Sequence, residues 1–183
     1  MNTQMDYIDF QRPQWKRWEG DPVPLLVVAG FIFSPYSGDF VMLHRSSKVR
    51  SAPNCWSLPS GLWEAGESAE GCFAREMKEE LNLEVEPRKI KMLGEYENKP
   101  GDGWHWVIRV FFAPCVDLND LENREPDKHD EVEFVNYSAL FDLPQFLSEY
   151  PTHPSLAAWM KRRARWVARE LEKISNYRKS RIL

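Results

Sequence analysis

The chain has 183 residues, 43% of them hydrophobic, which is enough to bury one sizeable core and too little for two ordinary domains. Its formal net charge of −4 argues against attachment to nucleic acid through overall charge, and its three cysteines include no C-x-x-C pair of the kind that binds zinc. The longest apolar run is about half the length of a membrane-spanning helix, and no secretion signal is found in the sequence, so we expect a soluble, cytoplasmic protein.

The first predicted elements form a strand pair. Residues 25–33, LLVVAGFIF, are typical of a buried strand, and 40–45 predict a returning strand after a turn at 34–39. We therefore divide the chain into an N-terminal extension (1–22), a main domain (23–150) and a C-terminal segment.

A helical pattern follows from Ser68, a suitable N-cap, to Leu81. Its apolar residues recur every four positions: Ala69, Phe73, Met77 and Leu81. Later strands are predicted at 90–97, 104–113 and 131–137.

The C-terminal segment (151–183) predicts one long helix, at about 155–174, that packs on the domain through an apolar side. The other side is basic, with Lys161, Arg162, Arg163, Arg165 and Arg169. We expect this basic side to be a solvated face, with contact to RNA as the alternative.

Three glutamates of the first helix carry the chemical signal. Glu76, Glu79 and Glu80 have i, i+3 and i+4 spacing, which gathers them into an arc of about 100°. Glu80 falls inside the arc that the apolar residues turn towards the core. Because an unpaired buried charge costs several kcal/mol, the cluster needs a cation or strong donors.

Carboxylate ligands suit Mg²⁺ or Mn²⁺, which also bind phosphate oxygens. The spacing of these glutamates alone is more typical of an ordinary solvated acidic helix face than of a metal site. The residues around them decide between the two interpretations.

The segment GLWEAGESAEGCFAREMKEELNL, residues 61–83, resembles the Nudix box, G-x5-E-x7-R-E-U-x-E-E-x-G-U, in which U is a bulky apolar residue. It departs only at Asn82, where the pattern has Gly. Asn is the next-best residue for a left-handed helix end, so we expect a small stability cost there and no loss of chemistry. The resemblance implies an α/β fold, a Nudix-type α/β/α sandwich with a mixed central sheet.

The resemblance also implies site roles and a reaction. The metal, Mg²⁺ or Mn²⁺, is bound by Gly61, through its carbonyl, and by Glu76, Glu79 and Glu80. The cluster is oriented by Arg75 and Glu67. The reaction is attack by an activated water on a phosphoric anhydride of a nucleoside diphosphate derivative. Glu79 is the favoured base, and the alternatives, or a further ligand, are Glu125, Asp130 and Glu131.

The favoured substrate is a nucleoside triphosphate, cut to a monophosphate and pyrophosphate. Trp104 or Trp106 is a candidate for stacking the base, unless both are core residues, and Arg45 and Lys128 are candidates for holding phosphates. The alternatives are an RNA 5′ end or cap, and a sugar nucleotide or ADP-ribose. A nucleotide-binding module without catalysis is a further alternative, and a homodimer is left open. We place no metal on the four scattered histidines.

Overall fold

The structure is a computed structural model that describes residues 25–64, 66–98, 105–114 and 118–179. The predicted N-terminal extension and Trp104 lie outside these ranges. Within them, the strands are β1 (Leu25–Phe33), β2 (Asp39–Arg45), β3 (Trp56–Ser57), β4 (Ser60–Leu62), β5 (Lys91–Asn98), β6 (Trp106–Pro114) and β7 (His129–Asn136). The helices are α1 (Ala69–Leu81), α2 (Leu143–Glu149) and α3 (Pro154–Lys179), with 3₁₀ helices at Pro87–Lys89 and Tyr137–Phe141.

The apolar run at residues 25–33 forms β1, which lies in the middle of the sheet. β1 runs parallel to β6 along its whole length, from Leu25↔Trp106 to Phe33↔Pro114. On its other side it pairs antiparallel with both β2 and β4, while β5 extends the sheet beyond β6 and β7 pairs with β2. A strand covered on both faces must be apolar throughout, which explains why β1 shows no polar alternation.

Successive side chains of β1 point to opposite faces of the sheet and enter two separate cores. Phe31 and Phe33 pack beneath α2 and α3, whereas Val28 and Ile32 pack beneath α1. The helices therefore cover both faces of a mixed sheet. This confirms the predicted α/β/α sandwich.

Helix α1 follows its sequence signals closely. The Ser68 hydroxyl accepts from the amide of Gly71 at 3.0 Å, which caps the first turn. The helix ends at Asn82, which has φ 58° and ψ 18°, in the left-handed region predicted for it. All four predicted apolar residues are buried: Ala69, Phe73, Met77 and Leu81. Burial of each large side chain contributes about 1.5–3 kcal/mol, so this face anchors the helix.

Helix α3 lies across the other face of the sheet and is longer than predicted. Its apolar side chains, among them Trp159, Met160 and Val167, belong to the core that contains Phe31. The helix continues past the predicted end because Ser175 is buried and its hydroxyl donates to the carbonyl of Pro35 at 3.2 Å. No helix within the described ranges combines the length and apolarity needed to cross a bilayer.

Candidate active site

Helix α1 carries three glutamates whose exposure falls from one to the next. The side chain of Glu79 is 58% exposed, that of Glu76 is 13% exposed, and Glu80 as a whole residue is 5% exposed. Their spacing places the three carboxylates on one side of the helix. The helix therefore presents a row of carboxylates that runs from solvent into the core, with Glu80 buried as the spacing predicts.

Gly61 in β4 provides the space that the side chain of Glu76 occupies. A Cβ atom built on Gly61 would overlap Cγ, Cδ and Oε1 of Glu76. The position of Gly61 is fixed because it pairs with Val28 of β1 in the sheet. Glycine is thus required here for a close approach, since any side chain would push Glu76 away.

Arg75 holds two of the helix glutamates and a third acid from the preceding loop. Its Nη1 donates to Glu76 Oε1 at 2.9 Å and to Glu79 Oε2 at 3.1 Å. Its Nε and Nη2 donate to the two carboxylate oxygens of Glu67 at 3.2 and 3.0 Å. The planar guanidinium suits this bidentate contact, and it fixes the orientation of all three carboxylates.

The surroundings shift the pKa values of these carboxylates in different directions. Burial raises the pKa of Glu67, but hydrogen bonds from Arg75 and from the amide of Glu64 outweigh it, so the net shift is downward. Burial raises the pKa of Glu76, and Arg75 opposes this only in part. Burial also raises the pKa of Glu80 to about 8, and the charge of Glu76 acts in the same direction. A cation beside Glu76 and Glu80 would favour their ionised forms.

The loop before β7 is joined to the last turn of α1 by backbone hydrogen bonds. The amides of Glu122 and Arg124 donate to the carbonyls of Leu81 and Glu80 at 3.0 and 2.9 Å. These bonds bring Glu125, the next residue, against Glu80. Glu125, predicted as an extra ligand or base, therefore lies with the helix glutamates although it is distant along the chain.

His129, the first residue of β7, lies at the same place. Ligand atoms of Glu80, Glu125 and His129 all lie within 4.8 Å of one another. His129 is 3% exposed, and burial together with the charge of Arg45 lowers its pKa to about 4, so its imidazole is neutral at neutral pH. His129 was not predicted as a site residue from the sequence. The available signal is the Glu-x-x-x-His spacing, which here forms a turn with a 2.9 Å bond from the His129 amide to the Glu125 carbonyl.

The two predicted phosphate-binding residues border this group. Lys128 Nζ pairs with Glu125 Oε1 at 2.6 Å. The guanidinium of Arg45 donates to the carbonyl of Ser51 at 3.1 and 2.9 Å. Burial lowers the pKa of Arg45 and the charge of Glu80 raises it, so these two groups lie within electrostatic range. Two positively charged side chains thus lie beside the carboxylates.

Three further predicted site residues within the described ranges do not join this group: Trp106, Asp130 and Glu131. Trp106 packs, partly buried, against the core beneath α3, on the face of the sheet opposite α1. In the described part of the chain no hydrogen bond joins Asp130 to the glutamates of α1; its Oδ1 lies 2.6 Å from Nδ1 of His44. Glu131 is exposed on β7.

The residues present fit a divalent cation. The donors are carboxylate oxygens and one imidazole, which are ligands of divalent ions. In the described part of the chain, Glu125 Oε2 and His129 Nδ1 are buried and have no hydrogen-bond partner. Buried polar atoms are seldom left unpaired, and a cation would satisfy both while it offsets the repulsion among the carboxylates.

Comparisons with known proteins agree with this geometry. The family model described as NUDIX domain matches residues 24–160. An ADP-ribose pyrophosphatase from Methanocaldococcus jannaschii is 32% identical over 131 residues, which cover 69% of this chain and 73% of that protein. An NAD-capped RNA hydrolase, NudC, from Pseudomonas aeruginosa is 35% identical over 107 residues, 58% of this chain and only 34% of the relative.

Solved structures give the same fold. A MutT protein from Methanosarcina mazei has a TM-score of 0.61 at 21% identity, with 76% of this chain and 92% of that one covered. The DR0079 protein from Deinococcus radiodurans has a TM-score of 0.56 at 21% identity, covering 80% and 89%. At these identities the similarity concerns the fold alone.

The fold, the carboxylate helix and the relatives define a hydrolase of phosphoric anhydrides. The chain belongs to the Nudix family. This confirms the resemblance carried by residues 61–83.

Proposed function

We propose that this enzyme hydrolyses the diphosphate linkage of a nucleoside diphosphate derivative with Mg²⁺ or Mn²⁺ as cofactor. The observation that carries the proposal is the row of carboxylates on α1, which Arg75 orients and which becomes more buried from Glu79 to Glu80. The ligands would be Glu76, Glu79, Glu80 and the carbonyl of Gly61. When bound, the cation neutralises charge on the anhydride oxygens and activates the attacking water.

The residues of the chain have separate tasks in this proposal. Glu79 is the favoured proton acceptor because it is the most exposed of the three glutamates, and Arg75 holds one of its oxygens at 3.1 Å. Glu67 holds Arg75 in turn. Glu125 remains an alternative base or a further ligand, and its partner Lys128 is 57% exposed in its side chain and can reach a phosphate.

For the substrate, we favour a compound with an internal diphosphate, of the ADP-ribose type, over the nucleoside triphosphate favoured by the sequence. The reason is that the two relatives described above are named for such substrates, and the first matches over most of its length. The MutT similarity lies below 25% identity and supports the fold alone. Triphosphates remain the second candidate.

The test is a substrate panel assayed with Mg²⁺ and with Mn²⁺: ADP-ribose, sugar nucleotides, dinucleoside polyphosphates and nucleoside triphosphates. We expect AMP and ribose 5-phosphate as the products of ADP-ribose. Glu79→Gln and Glu80→Gln should each lower kcat by a factor of at least about 100 while the fold is retained. Near wild-type turnover by both variants, or no turnover of any compound in the panel, would contradict the proposal.

An RNA 5′ end is a further candidate because the basic residues of α3 are exposed: Lys161, Arg162, Arg163, Arg165 and Arg169. Deleting the helix would uncover the core, so charge reversal of Arg162 and Arg165 is the sharper test. The RNA interpretation predicts that this variant loses salt-dependent RNA binding and keeps turnover of ADP-ribose. RNA binding that is unchanged in this variant, or a wild type that binds no RNA, excludes the RNA interpretation.

A further inference from the structure

The side of the site formed by the loop before β7 contains two polar atoms that need a partner. Glu125 Oε2 and His129 Nδ1 are buried without hydrogen bonds to any described residue. His129 is 3% exposed, so bulk water does not reach it freely. Buried polar atoms in native proteins are nearly always paired, so two unpaired atoms on neighbouring residues of this group indicate a ligand at this place.

The three donors at this point are spaced for one ion. Ligand atoms of Glu80, Glu125 and His129 lie within 4.8 Å of one another. Two donors on one cation, each at about 2.1 Å, lie at most about 4.2 Å apart. Three evenly spaced donors at this distance lie at most about 3.6 Å apart, so a contraction of up to about 1.2 Å, which is within the range of side-chain rotation, would bring them into a common coordination sphere.

The backbone holds the two loop donors in place. Asn123 Nδ2 donates to the carbonyl of His129 at 2.7 Å, and Asn123 Oδ1 accepts from the amide of Glu125 at 3.1 Å. The amide of Arg124 donates to the carbonyl of Glu80. All three donors are therefore attached to one hydrogen-bonded frame, as a preformed metal site requires.

We propose that His129 is a nitrogen ligand of a cation held with Glu80 and Glu125, and that this mixed donor set makes the enzyme prefer Mn²⁺ or another transition-metal ion to Mg²⁺. Imidazole binds transition metals well, whereas Mg²⁺ favours oxygen ligands and keeps its waters. The inference rests on the proposed function in one respect, because its donor set shares Glu80 with the ligands proposed for hydrolysis.

The first test is calorimetric titration of the full chain with MnCl₂ and with MgCl₂, without nucleotide. The wild type should bind Mn²⁺ more tightly. His129→Asn should weaken Mn²⁺ binding by at least about tenfold and Mg²⁺ binding by less than about threefold. His44→Asn is the matched control, since His44 pairs with Asp130 and lies outside the three-donor group; it should change neither affinity. Equal effects of His129→Asn on both ions, or no effect on Mn²⁺, would overturn the proposal.

The second test uses the unaltered protein and stays decisive if His129→Asn does not fold. In ¹⁵N side-chain NMR spectra, one equivalent of Zn²⁺ should shift a ring nitrogen of His129. Unmoved His129 signals with Zn²⁺ bound would refute ligation. Shifted His129 signals in a chain that hydrolyses no nucleotide would reject the proposed function and leave the metal site standing. Turnover of a nucleotide by a chain whose His129 signals do not move with Zn²⁺ would reject the metal ligand and leave the proposed function standing.

Discussion

Replacement of Gly61 by alanine tests whether the position of the Glu76 carboxylate controls catalysis. Gly61 is not among the described glycines with positive φ, which are Gly38, Gly66 and Gly94, so alanine can adopt its backbone. The added Cβ overlaps the side chain of Glu76 and no backbone atom is among the nearest neighbours. The side chain must therefore move by more than about 1 Å to restore an ordinary contact of about 3.5 Å.

A misplacement of this size in a catalytic group can lower the rate by about 100-fold, which corresponds to about 2.7 kcal/mol of transition-state stabilisation. We expect kcat/KM, measured with the best substrate of the panel, to fall by at least that factor in Gly61→Ala. The loss of the 2.9 Å bond from Arg75 to Glu76 should lower the free energy of unfolding by only about 1–2 kcal/mol, so the variant stays folded.

The assay combines steady-state kinetics with thermal unfolding. Gly71→Ala, the same substitution in the first turn of α1, is the matched control, because its Cβ would meet only the Ser68 hydroxyl oxygen at 3.1 Å. Its kcat/KM should stay within about threefold of the wild type, since Glu76 is not displaced. A folded Gly61→Ala enzyme with wild-type kcat/KM would refute the reasoning.

Three further predictions follow from the same site. Arg75→Lys keeps the charge but loses the bidentate contact with Glu67, so kcat should fall by about 100-fold with a smaller change in KM; equal activity in steady-state kinetics would contradict this. Asn82→Gly relieves the left-handed strain at φ 58° and should raise the free energy of unfolding in urea by about 0.5 kcal/mol with kcat/KM unchanged, and a loss of stability would count against it. In metal-free buffer, the pKa of Glu80 is about 8 in the folded protein and near 4.5 in the unfolded chain. The folded state therefore holds one more proton than the unfolded state between these values, so rising pH should lower the Tm between pH 6.5 and 8. Glu80→Gln should flatten that slope, and parallel Tm curves for the two proteins would show that Glu80 is not the cause.

The main elements of the fold were predictable because their sequences are strongly periodic. The apolar run at 25–33 and the four-residue repeat of α1 specify a buried strand and an amphipathic helix without help from the rest of the chain. The short strands β3 and β4 were not predicted, since two or three residues carry no period and their pairing depends on β2 and β1. Helix α2 was also missed, although Asp142 caps it and Pro144 lies in its first turn.

The site was predictable to the extent that it lies on one helix. The spacing of Glu76, Glu79 and Glu80 predicts that they lie on one side of the helix, and the burial of Glu80 follows from the apolar residues around it. His129 was not predicted because its proximity to Glu80 depends on the path of a loop, and the Glu-x-x-x-His spacing relates it only to Glu125. Trp106 was named as a candidate for base stacking, with a core position as the alternative; its alternation with Ile108 fits the alternative, and it packs, partly buried, against the core beneath α3.

The attachment of the loop to α1 bears on how this domain tolerates evolutionary change. Because the amides of Glu122 and Arg124 are tied to the end of the helix, the chain that precedes them can gain or lose residues without shifting Glu125 relative to Glu80. A change of length in that stretch is thus expected to leave the carboxylate arrangement, and with it the chemistry of hydrolysis, in place.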